Sequence, residues 1–210
     1  MGIAERKERE KQRRREEILD AAEKVFFTRG IENSTMEDVA VKAELSKGTL
    51  YLYFKSKEDI HWAITHRGIK DLLTEMQNLV DPGKDAIENL LIIAYAFIRF
   101  TKEKKELSDS IIFFEGCDIH KLNLYHAQIR NSFLNDSPIH LVTEYVMEGI
   151  HQGLIRDDIP VNILSNILWS QLLGVLQVAS RKKELFELVD INQKDLIDNH
   201  FKIVLKGIKK

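Results

Sequence analysis

The stretch from Ser46 to Lys57 carries the side chains with the clearest chemistry in this sequence. A serine that can cap a helix is followed by Lys47, Gly48 and Thr49, and two tyrosines come within the next turn. A lysine can make a charge-assisted contact to a phosphate, and small residues at a helix N-terminus let the backbone approach a polyanion. The pattern therefore predicts contact with the phosphates and base edges of DNA.

The helix formed by this stretch has two different faces. Leu50 and Phe54 are four residues apart, so both lie on the inner face and can anchor it in a core. An ordinary core helix would leave the exposed tyrosines unexplained. The residues left near the surface that faces a DNA groove are Lys47, Gly48, Thr49, Tyr51 and Leu52.

The histidines and the single cysteine, Cys117, form no comparable pattern. No two histidines have the His-x-x-x-His spacing of a zinc site, and one cysteine makes neither a thiolate cluster nor an intramolecular disulfide. A nucleophile elbow, a glycine-rich phosphate loop and a dinucleotide fingerprint are also missing from the sequence. We therefore expect no catalytic residue, no metal and no cofactor.

The composition is that of an ordinary globular protein. A chain of 210 residues that is 44% hydrophobic can bury a core, and three prolines and ten glycines are few for the turns of an all-β fold. The formal net charge of −2 means that a polyanion must be met by local charge. The longest apolar run, Leu90 to Ile98, is shorter than the roughly 20 residues of a membrane span, which predicts a cytoplasmic protein with no membrane partner.

Hydrophobic periodicity and capping residues predict an all-α fold. A helix over residues 5–29 ends at Gly30, a short helix is capped by Thr35, and a third runs from Lys47 to Phe54. These three make a helix-turn-helix domain. Further helices are predicted at residues 57–80, 84–104, 106–116, 120–135, 138–152, 160–182 and 193–208, and they form a C-terminal helical bundle. Pro138 and Pro160 are predicted at first helical positions.

The segment from Arg6 to Arg15 holds seven basic and two acidic residues. These cations could add phosphate contacts or enter a minor groove. A solvated helix end, paired between positions i and i+4, explains the same pattern. The sequence leaves both interpretations open.

The runs TMEDVA at residues 35–40 and SKGTLYLYFKSK at residues 46–57 closely resemble the DNA-binding signature of the TetR family of bacterial transcription regulators. Eighteen positions agree in type and order, whereas patterns of five or six residues often arise by chance. The resemblance is specific for residues 16–60. It implies that Lys47, Gly48, Thr49 and Leu52 approach bases, that Tyr51 packs against a base edge or sugar, and that Thr35, Tyr53 and Lys57 hold phosphates.

One position departs from the family pattern. The turn between the two short helices usually carries glycine in this family, and this sequence has Glu44 there. A residue with a side chain must adopt a left-handed conformation at this point, or the turn must differ slightly.

The helix containing residues 163–178 is apolar around most of its circumference. A helix of this kind needs cover on two sides, one from the core and one from a second subunit. We expect a homodimer held by this helix and the one before it, as in the TetR family. The predicted interface residues are Val142, Val146, Ile150, Leu168, Leu172 and Leu176.

The resemblance also implies a ligand cavity among the aromatic-rich middle helices. For any one aromatic residue, core packing is the better explanation. A mostly apolar cavity with few polar groups would take a small hydrophobic effector, either uncharged or amphipathic. The predicted ligand-binding residues are Phe97, Phe113, Cys117, Tyr125 and Trp169.

The sequence thus predicts residues 1–56 as the DNA-binding domain and residues 57–210 as the ligand-binding and dimerisation domain. We expect a repressor of a double-stranded palindromic operator, released when the effector shifts the conformational equilibrium through the helix from Lys57 to Val80. Three alternatives stay open: an activator of the opposite sense, a dimeric helical protein-interaction module with vestigial DNA binding, and an enzyme.

Overall fold

The computed structural model describes residues 2–115 and 136–210. These residues form helices, with no β-strand among them beyond one isolated antiparallel bridge between Ile155 and Lys209. The predicted all-α fold is confirmed. The helices are α1 (Ile3–Arg29), α2 (Met36–Lys42), α3 (Lys47–Tyr51), α4 (Lys57–Leu79), α5 (Ala86–Glu103), α6 (Lys105–Glu115), α7 (Pro138–His151), α8 (Val161–Arg181), α9 (Lys183–Leu188) and α10 (Gln193–Ile208).

The chain divides into two compact units, Met1–Gly68 and Ile69–Lys210. The division falls inside α4, so the residues after Gly68 in that helix belong to the second unit. The sequence-based division into functional domains at residues 56 and 57 stays a prediction.

The first unit is built on the apolar stripe of α1. Leu19, Ala22 and Phe26 recur at helical spacing and are buried, as are Leu50 and Phe54 from the other side of the unit. Fully burying a leucine or phenylalanine contributes about 1.5–3 kcal/mol. Their removal from water therefore holds the short helices α2 and α3, which are too short to be stable in isolation.

Side-chain caps fix where α2 and α3 begin. The Thr35 hydroxyl accepts from the Asp38 amide at 3.1 Å, and the Asp38 carboxylate accepts from the Thr35 amide at 2.9 Å, which makes a capping box. Ser46 Oγ accepts from the Thr49 amide at 3.1 Å. Each cap satisfies amides that the helix itself leaves free, and this typically contributes about 1 kcal/mol.

Glu44 adopts the left-handed conformation expected if the turn keeps its usual form, with φ at +56°. The Leu45 amide donates to the Ala40 carbonyl at 2.9 Å across this turn. A side chain in this region of backbone space costs about 1–2 kcal/mol. The turn between α2 and α3 therefore stores strain that glycine would remove.

We expect Glu44→Gly to raise the free energy of unfolding by about 0.5–1 kcal/mol, because relief of strain exceeds the entropy that glycine adds to the unfolded chain. Urea unfolding followed by circular dichroism measures the change. Glu32→Gly is the matched control, since Glu32 is exposed and has no positive φ. Equal destabilisation by both substitutions would contradict the prediction.

The second unit packs α5 against α7, α7 against α8, and α8 against α10. Gly149 brings the first pair together, because an added Cβ there would collide with the Ile155 side chain and lie 3.2 Å from Ala86 Cβ. The Phe97 ring lies 5.1 Å from the ring of Trp169 and 6.5 Å from that of Phe100, centroid to centroid. These aromatic residues are buried and form the centre of this unit.

The predicted helix boundaries agree with the structure to within two residues for most elements, with three differences. The helix α9 was not predicted, because six residues are too few to show a helical period. The predicted α3 extends to Phe54, whereas the structure ends it at Tyr51. Pro160 is the N-cap of α8 and not its first residue. The helix predicted at residues 120–135 lies outside the described residues.

Within the described ranges, one helix, α8, is long and apolar enough by composition to cross a membrane. Its most apolar 18-residue window has a mean hydropathy of 1.3, and 33% of that window is buried. A single helix of this kind is weak evidence for a span, since helices of soluble proteins pass the same test. Ile163, Ile167 and Val178 of α8 are exposed apolar residues in the single chain.

Candidate DNA-binding site

Helix α3 presents the two faces that its spacing predicts. Leu50 and Phe54 are buried, whereas Leu52 is 77% and Tyr51 is 37% exposed. Lys47 and Gly48 are exposed as well, and Thr49 and Tyr53 are half-buried. The structure therefore places the predicted base-contacting residues on one short helix and on the residue that follows it.

Gly48 has no structural partner that requires a glycine. A Cβ built at this position meets no described atom nearer than Ser46 Oγ, at 3.9 Å, and its φ is not positive. A glycine inside a helix costs about 0.5–1 kcal/mol relative to alanine. Because the fold gains nothing from its missing side chain, a partner outside this unit is the better explanation for glycine here.

The hydroxyls at the start of α3 bond to each other. Ser46 Oγ and Thr49 Oγ1 lie 2.8 Å apart, so the Thr49 side chain is held in one orientation. Its methyl group and remaining lone pair are then the parts available to a base, and a thymine methyl is one group that threonine contacts in this way.

Lys47 is paired with Glu37 of α2 in this structure. The hydrogen bond between them lowers the pKa of Glu37 and raises the pKa of Lys47, so both groups stay charged over the neutral range. A phosphate that approached Lys47 would compete with Glu37 and be repelled by its carboxylate. The ion pair therefore fixes the position of the Lys47 ammonium, while the Glu37 carboxylate repels a phosphate that approaches it.

We expect Glu37→Gln to tighten DNA binding about twofold to fivefold at low salt, because it removes a surface carboxylate beside the phosphate path and frees Lys47. Fluorescence anisotropy with a labelled duplex measures the change, which should shrink as salt is added. Glu32→Gln, an exposed change of equal charge in the same unit, should have a smaller effect. Weaker binding by Glu37→Gln would contradict this prediction.

Two residues predicted to hold phosphates have partners within the first unit. The Thr35 hydroxyl donates to Asp38 Oδ2 at 2.7 Å. Lys57 Nζ donates to the carbonyls of Ile31, Glu32 and Ser34 at 2.8, 3.2 and 3.2 Å. These bonds engage all three ammonium protons, so Lys57 ties α4 to the loop before α2, and a phosphate would have to displace a carbonyl.

Sequence reasoning missed the cluster around Arg67 of α4. Its guanidinium donates to Glu16 at 3.2 Å, to Asp20 at 2.7 Å and to Glu23 at 2.6 Å, all on α1. Burial alone would lower the pKa of Arg67, but the carboxylates of Asp20 and Glu23 raise it overall. The three carboxylates recur at helical spacing, and this spacing is the sequence feature that could have indicated a shared cationic partner. Their partner is more than forty residues away in sequence, which the pattern could not supply.

The predicted dimer-interface residues differ in their exposure within the single chain. Val142, Val146, Leu172 and Leu176 are buried within their own protomer. Ile150 and Leu168 are half-buried. The apolar residues of α7 and α8 that the single chain leaves exposed are Met147, Ile163, Ile167 and Val178.

Two of the predicted ligand-binding residues, Phe97 and Trp169, are in contact in the second unit. Cys117 and Tyr125 lie outside the described residues, as does the side chain of Phe113.

Trp169 lines an apolar cavity of about 60 Å³ between α5, α7, α8 and α10. His200 also lines it, and burial lowers the pKa of that imidazole, which keeps the wall uncharged near neutral pH. The Trp169 indole nitrogen is buried without a hydrogen-bond partner among the described residues.

Comparison with known proteins adds independent evidence. Residues 18–64 match the family model described as bacterial regulatory proteins, tetR family. The uncharacterized HTH-type transcriptional regulator YhgD of Bacillus subtilis is 33% identical over 143 residues, which cover 68% of this chain and 72% of that protein. The fatty acid metabolism regulator protein of Bacillus subtilis is 23% identical over 177 residues, covering 84% and 88% of the two chains.

Solved structures agree with these matches. A candidate fatty acid metabolism regulator from Clostridium perfringens has a TM-score of 0.59 and 26% identity, with 91% of this chain and 98% of that chain covered. Proteins of this family bind DNA operators and small-molecule effectors, act as dimers and are regulators, not enzymes. The helix-turn-helix, the all-α fold and these similarities together show that the chain belongs to the TetR family of bacterial transcription regulators.

Proposed function

We propose that this protein is a ligand-responsive repressor that binds a palindromic operator as a homodimer. The observation that carries the proposal is α3, whose inner face is locked by Leu50 and Phe54 while a lysine, a glycine and a tyrosine face outward. In a two-fold dimer, two such helices meet successive major grooves on one side of the duplex. Binding to DNA would place the protein in the cytoplasm.

The base contacts of the proposal come from α3 and from Leu52, the residue that follows it. Lys47, Gly48, Thr49 and Leu52 approach bases, and Tyr51 packs beside them. Tyr53 and Thr35 add phosphate contacts at the edges of this surface. Lys57 contributes mainly by fixing the loop before α2, since its ammonium already bonds three carbonyls.

Release from the operator follows from a shift between two conformations. The two α3 helices of the dimer are its recognition helices. The effector binds more tightly to the conformation in which these helices are wrongly spaced for the operator. A coupling free energy of about 1–3 kcal/mol per site changes operator affinity about 5- to 150-fold. Helix α4 begins in the first unit and ends in the second, so we propose it as the element that transmits the shift.

The effector we propose is a small amphipathic molecule with a hydrocarbon chain. The cavity beside Trp169 is lined almost entirely by apolar side chains, which suits an alkyl group, and at about 60 Å³ it must widen to admit a long chain. Two similar proteins are described as fatty acid metabolism regulators. Long-chain fatty acids and their thioesters are therefore the first compounds to test.

The decisive experiment is selection of bound DNA from a random duplex pool, at two salt concentrations, with the full chain and with the variant Thr49→Ala plus Tyr51→Ala. We expect a palindrome that is enriched by the parent and lost in the variant. Addition of a fatty acid should then release the selected duplex. If the delipidated parent enriches nothing at either salt, the regulator proposal fails and the protein-interaction module becomes the better hypothesis. The full chain is used throughout, because release by an effector requires the second unit.

We expect Trp169→Phe to weaken the response to the effector about threefold to tenfold, because a net hydrogen bond from the indole N–H contributes about 0.5–1.5 kcal/mol. Phenylalanine keeps the ring contact with Phe97. Operator affinity without effector should not change. The measurement is the effector concentration that releases half of the labelled operator.

Trp62→Phe is the matched control, since Trp62 is a buried tryptophan of the first unit. It should leave that concentration unchanged. An unaltered response in Trp169→Phe would show that the indole N–H does not contact the effector.

A further inference from the structure

The first turns of α1 form a helical arm, defined here as residues 3–14. The helix begins at Ile3, well before the first buried residue, Ile18. Every residue from Ala4 to Arg13 is exposed. Twelve helical residues span about 18 Å, so the arm is a long polar element outside the core of its unit.

Exposed contacts hold the arm in helical form. A helix that is polar all round depends on side-chain pairs or on a partner. At the start of the arm the Gly2 amide donates to Glu5 at 3.0 Å, and near its base Gln12 bonds Glu16 at 2.8 Å while Arg13 and Arg14 pair with Glu17 at 3.8 and 2.7 Å. Exposed pairs of this kind contribute little. A polyanion bound along the arm would supply the missing stabilisation.

One stripe of α1 changes from apolar to basic residues where the helix leaves the core. Leu19, Ala22 and Phe26 lie on the buried face, at steps of three and four residues. The same steps continue backward through Arg15 to Lys11 and Lys7. The stripe that packs on apolar side chains in the core is therefore basic in the arm. Its acidic counterpart is on another side, where Glu16, Asp20 and Glu23 hold Arg67.

The arm leaves its unit beside the recognition helix. The Arg15 guanidinium lies 4.7 Å from the centre of the Phe54 ring. Phe54 lies three residues after the end of α3, and its ring is buried. The basic stripe therefore starts next to the end of the helix whose exposed face is proposed to meet DNA.

We propose that the arm binds backbone phosphates of the DNA that flanks the bases met by α3, with Lys7 and Lys11 as its contacting cations. This second, sequence-independent contact rests on the proposed DNA-facing side of α3 and extends it. An arm of about 18 Å reaches along about five base pairs, at 3.4 Å per pair. In each half-site, the arm would cover the flanking DNA and protect it from cleavage, but it would add no sequence specificity.

The test compares two double variants of the full chain that change the same arm by the same charge. Lys7→Gln with Lys11→Gln removes the stripe, and Arg6→Gln with Arg13→Gln removes cations from the other side of the helix. Glutamine keeps a helix propensity close to that of lysine and arginine, and circular dichroism checks that the helix content is retained. The probe is a 40-base-pair duplex of random sequence, titrated at several salt concentrations.

We expect the Lys7 and Lys11 variant to lower the slope of log affinity against log salt by about 1.8 per protomer, at about 0.9 for each phosphate that is no longer neutralised. The Arg6 and Arg13 variant should lower it much less. On the selected operator, the first variant should keep the preferred sequence but shorten the hydroxyl-radical footprint at both ends.

Equal losses in the two variants would overturn the proposal, because they would reflect net charge and not a binding face. An unchanged slope in both variants would overturn it too. So would a Lys7 and Lys11 variant that loses binding to phosphatidylglycerol vesicles but keeps its binding to DNA, because the arm would then contact a lipid surface. These results leave the proposed function intact. That proposal fails separately, when no sequence is enriched and Thr49→Ala with Tyr51→Ala changes nothing.

Discussion

A Gly48→Leu variant should fold as the parent does and lose operator binding by at least about a hundredfold. The added side chain meets no described atom of its own unit that would resist it, because the nearest is Ser46 Oγ at 3.9 Å from the Cβ. Leucine is also a better helix residue than glycine, by about 0.5–1 kcal/mol. The side chain would instead occupy the space through which the α3 backbone approaches the groove. Displacing two side chains from their bases, at about 1–3 kcal/mol for each, already accounts for that factor.

Affinity for the selected operator and thermal unfolding, measured on the same samples, separate these effects. Gly207→Leu is the matched control, since Gly207 lies in a helix of the second unit and a Cβ there also meets no described atom within 4 Å. It should leave operator binding unchanged. Gly48→Ala should give an intermediate loss. If Gly48→Leu binds as tightly as the parent, the start of α3 does not approach DNA.

The sequence predicts α1 to α3 well because their signals are local. Thr35, Asp38 and Ser46 mark helix starts within three residues of the amides they bond. The four-residue spacing of Leu50 and Phe54 assigns the inner face of α3 without knowledge of the rest of the fold. Sequence analysis alone could therefore identify the candidate DNA-binding surface.

Contacts between distant parts of the chain could not be predicted in this way. Lys57 has the type and position of a phosphate ligand, yet its ammonium bonds carbonyls more than twenty residues away. The partners of Arg67 are more distant still. A residue type restricts what a side chain can bind, but only the fold decides which acceptor comes within reach.

The dimer interface stays a prediction, and the sequence alone could not assign which side of α8 would face a partner. Helix α8 is apolar around most of its circumference, so periodicity cannot distinguish the side that faces its own core from the side that faces a partner. The structure makes that distinction, because Leu172 and Leu176 are buried and Ile163 and Ile167 are exposed. The exposed stripe contributes to the hydropathy that gives α8 the composition of a membrane span.

The exposed stripe of α8 therefore leads to the second large expected effect. Ile167 is 40% exposed in the single chain, and Gly174, two turns further on, has no described atom within 4 Å of a Cβ. A glycine in open space on a helix lets a partner helix come close. We expect Ile167→Glu to convert the dimer to monomers at micromolar concentration, since an unpaired carboxylate buried in an interface costs several kcal/mol.

Two-fold symmetry doubles that cost, because each dimer contains the substitution twice at the same interface. Operator binding should fall with dimerisation, since a monomer places one recognition helix on half of a palindrome. Sedimentation velocity measures the first effect and anisotropy with the selected operator the second. Circular dichroism should be unchanged, because the position is exposed within the protomer.

Ile203→Glu supplies the matched control for this change. Ile203 is 73% exposed on α10, so the variant has the same chemistry at an exposed apolar site of the same unit. It should remain dimeric and bind the operator normally. If Ile203→Glu dissociates the dimer and Ile167→Glu does not, the interface lies on α10, and the apolar stripe of α8 needs another partner. Loss of operator binding by a fully dimeric Ile167→Glu variant would instead mean that α8 acts on the spacing of the recognition helices and not on assembly.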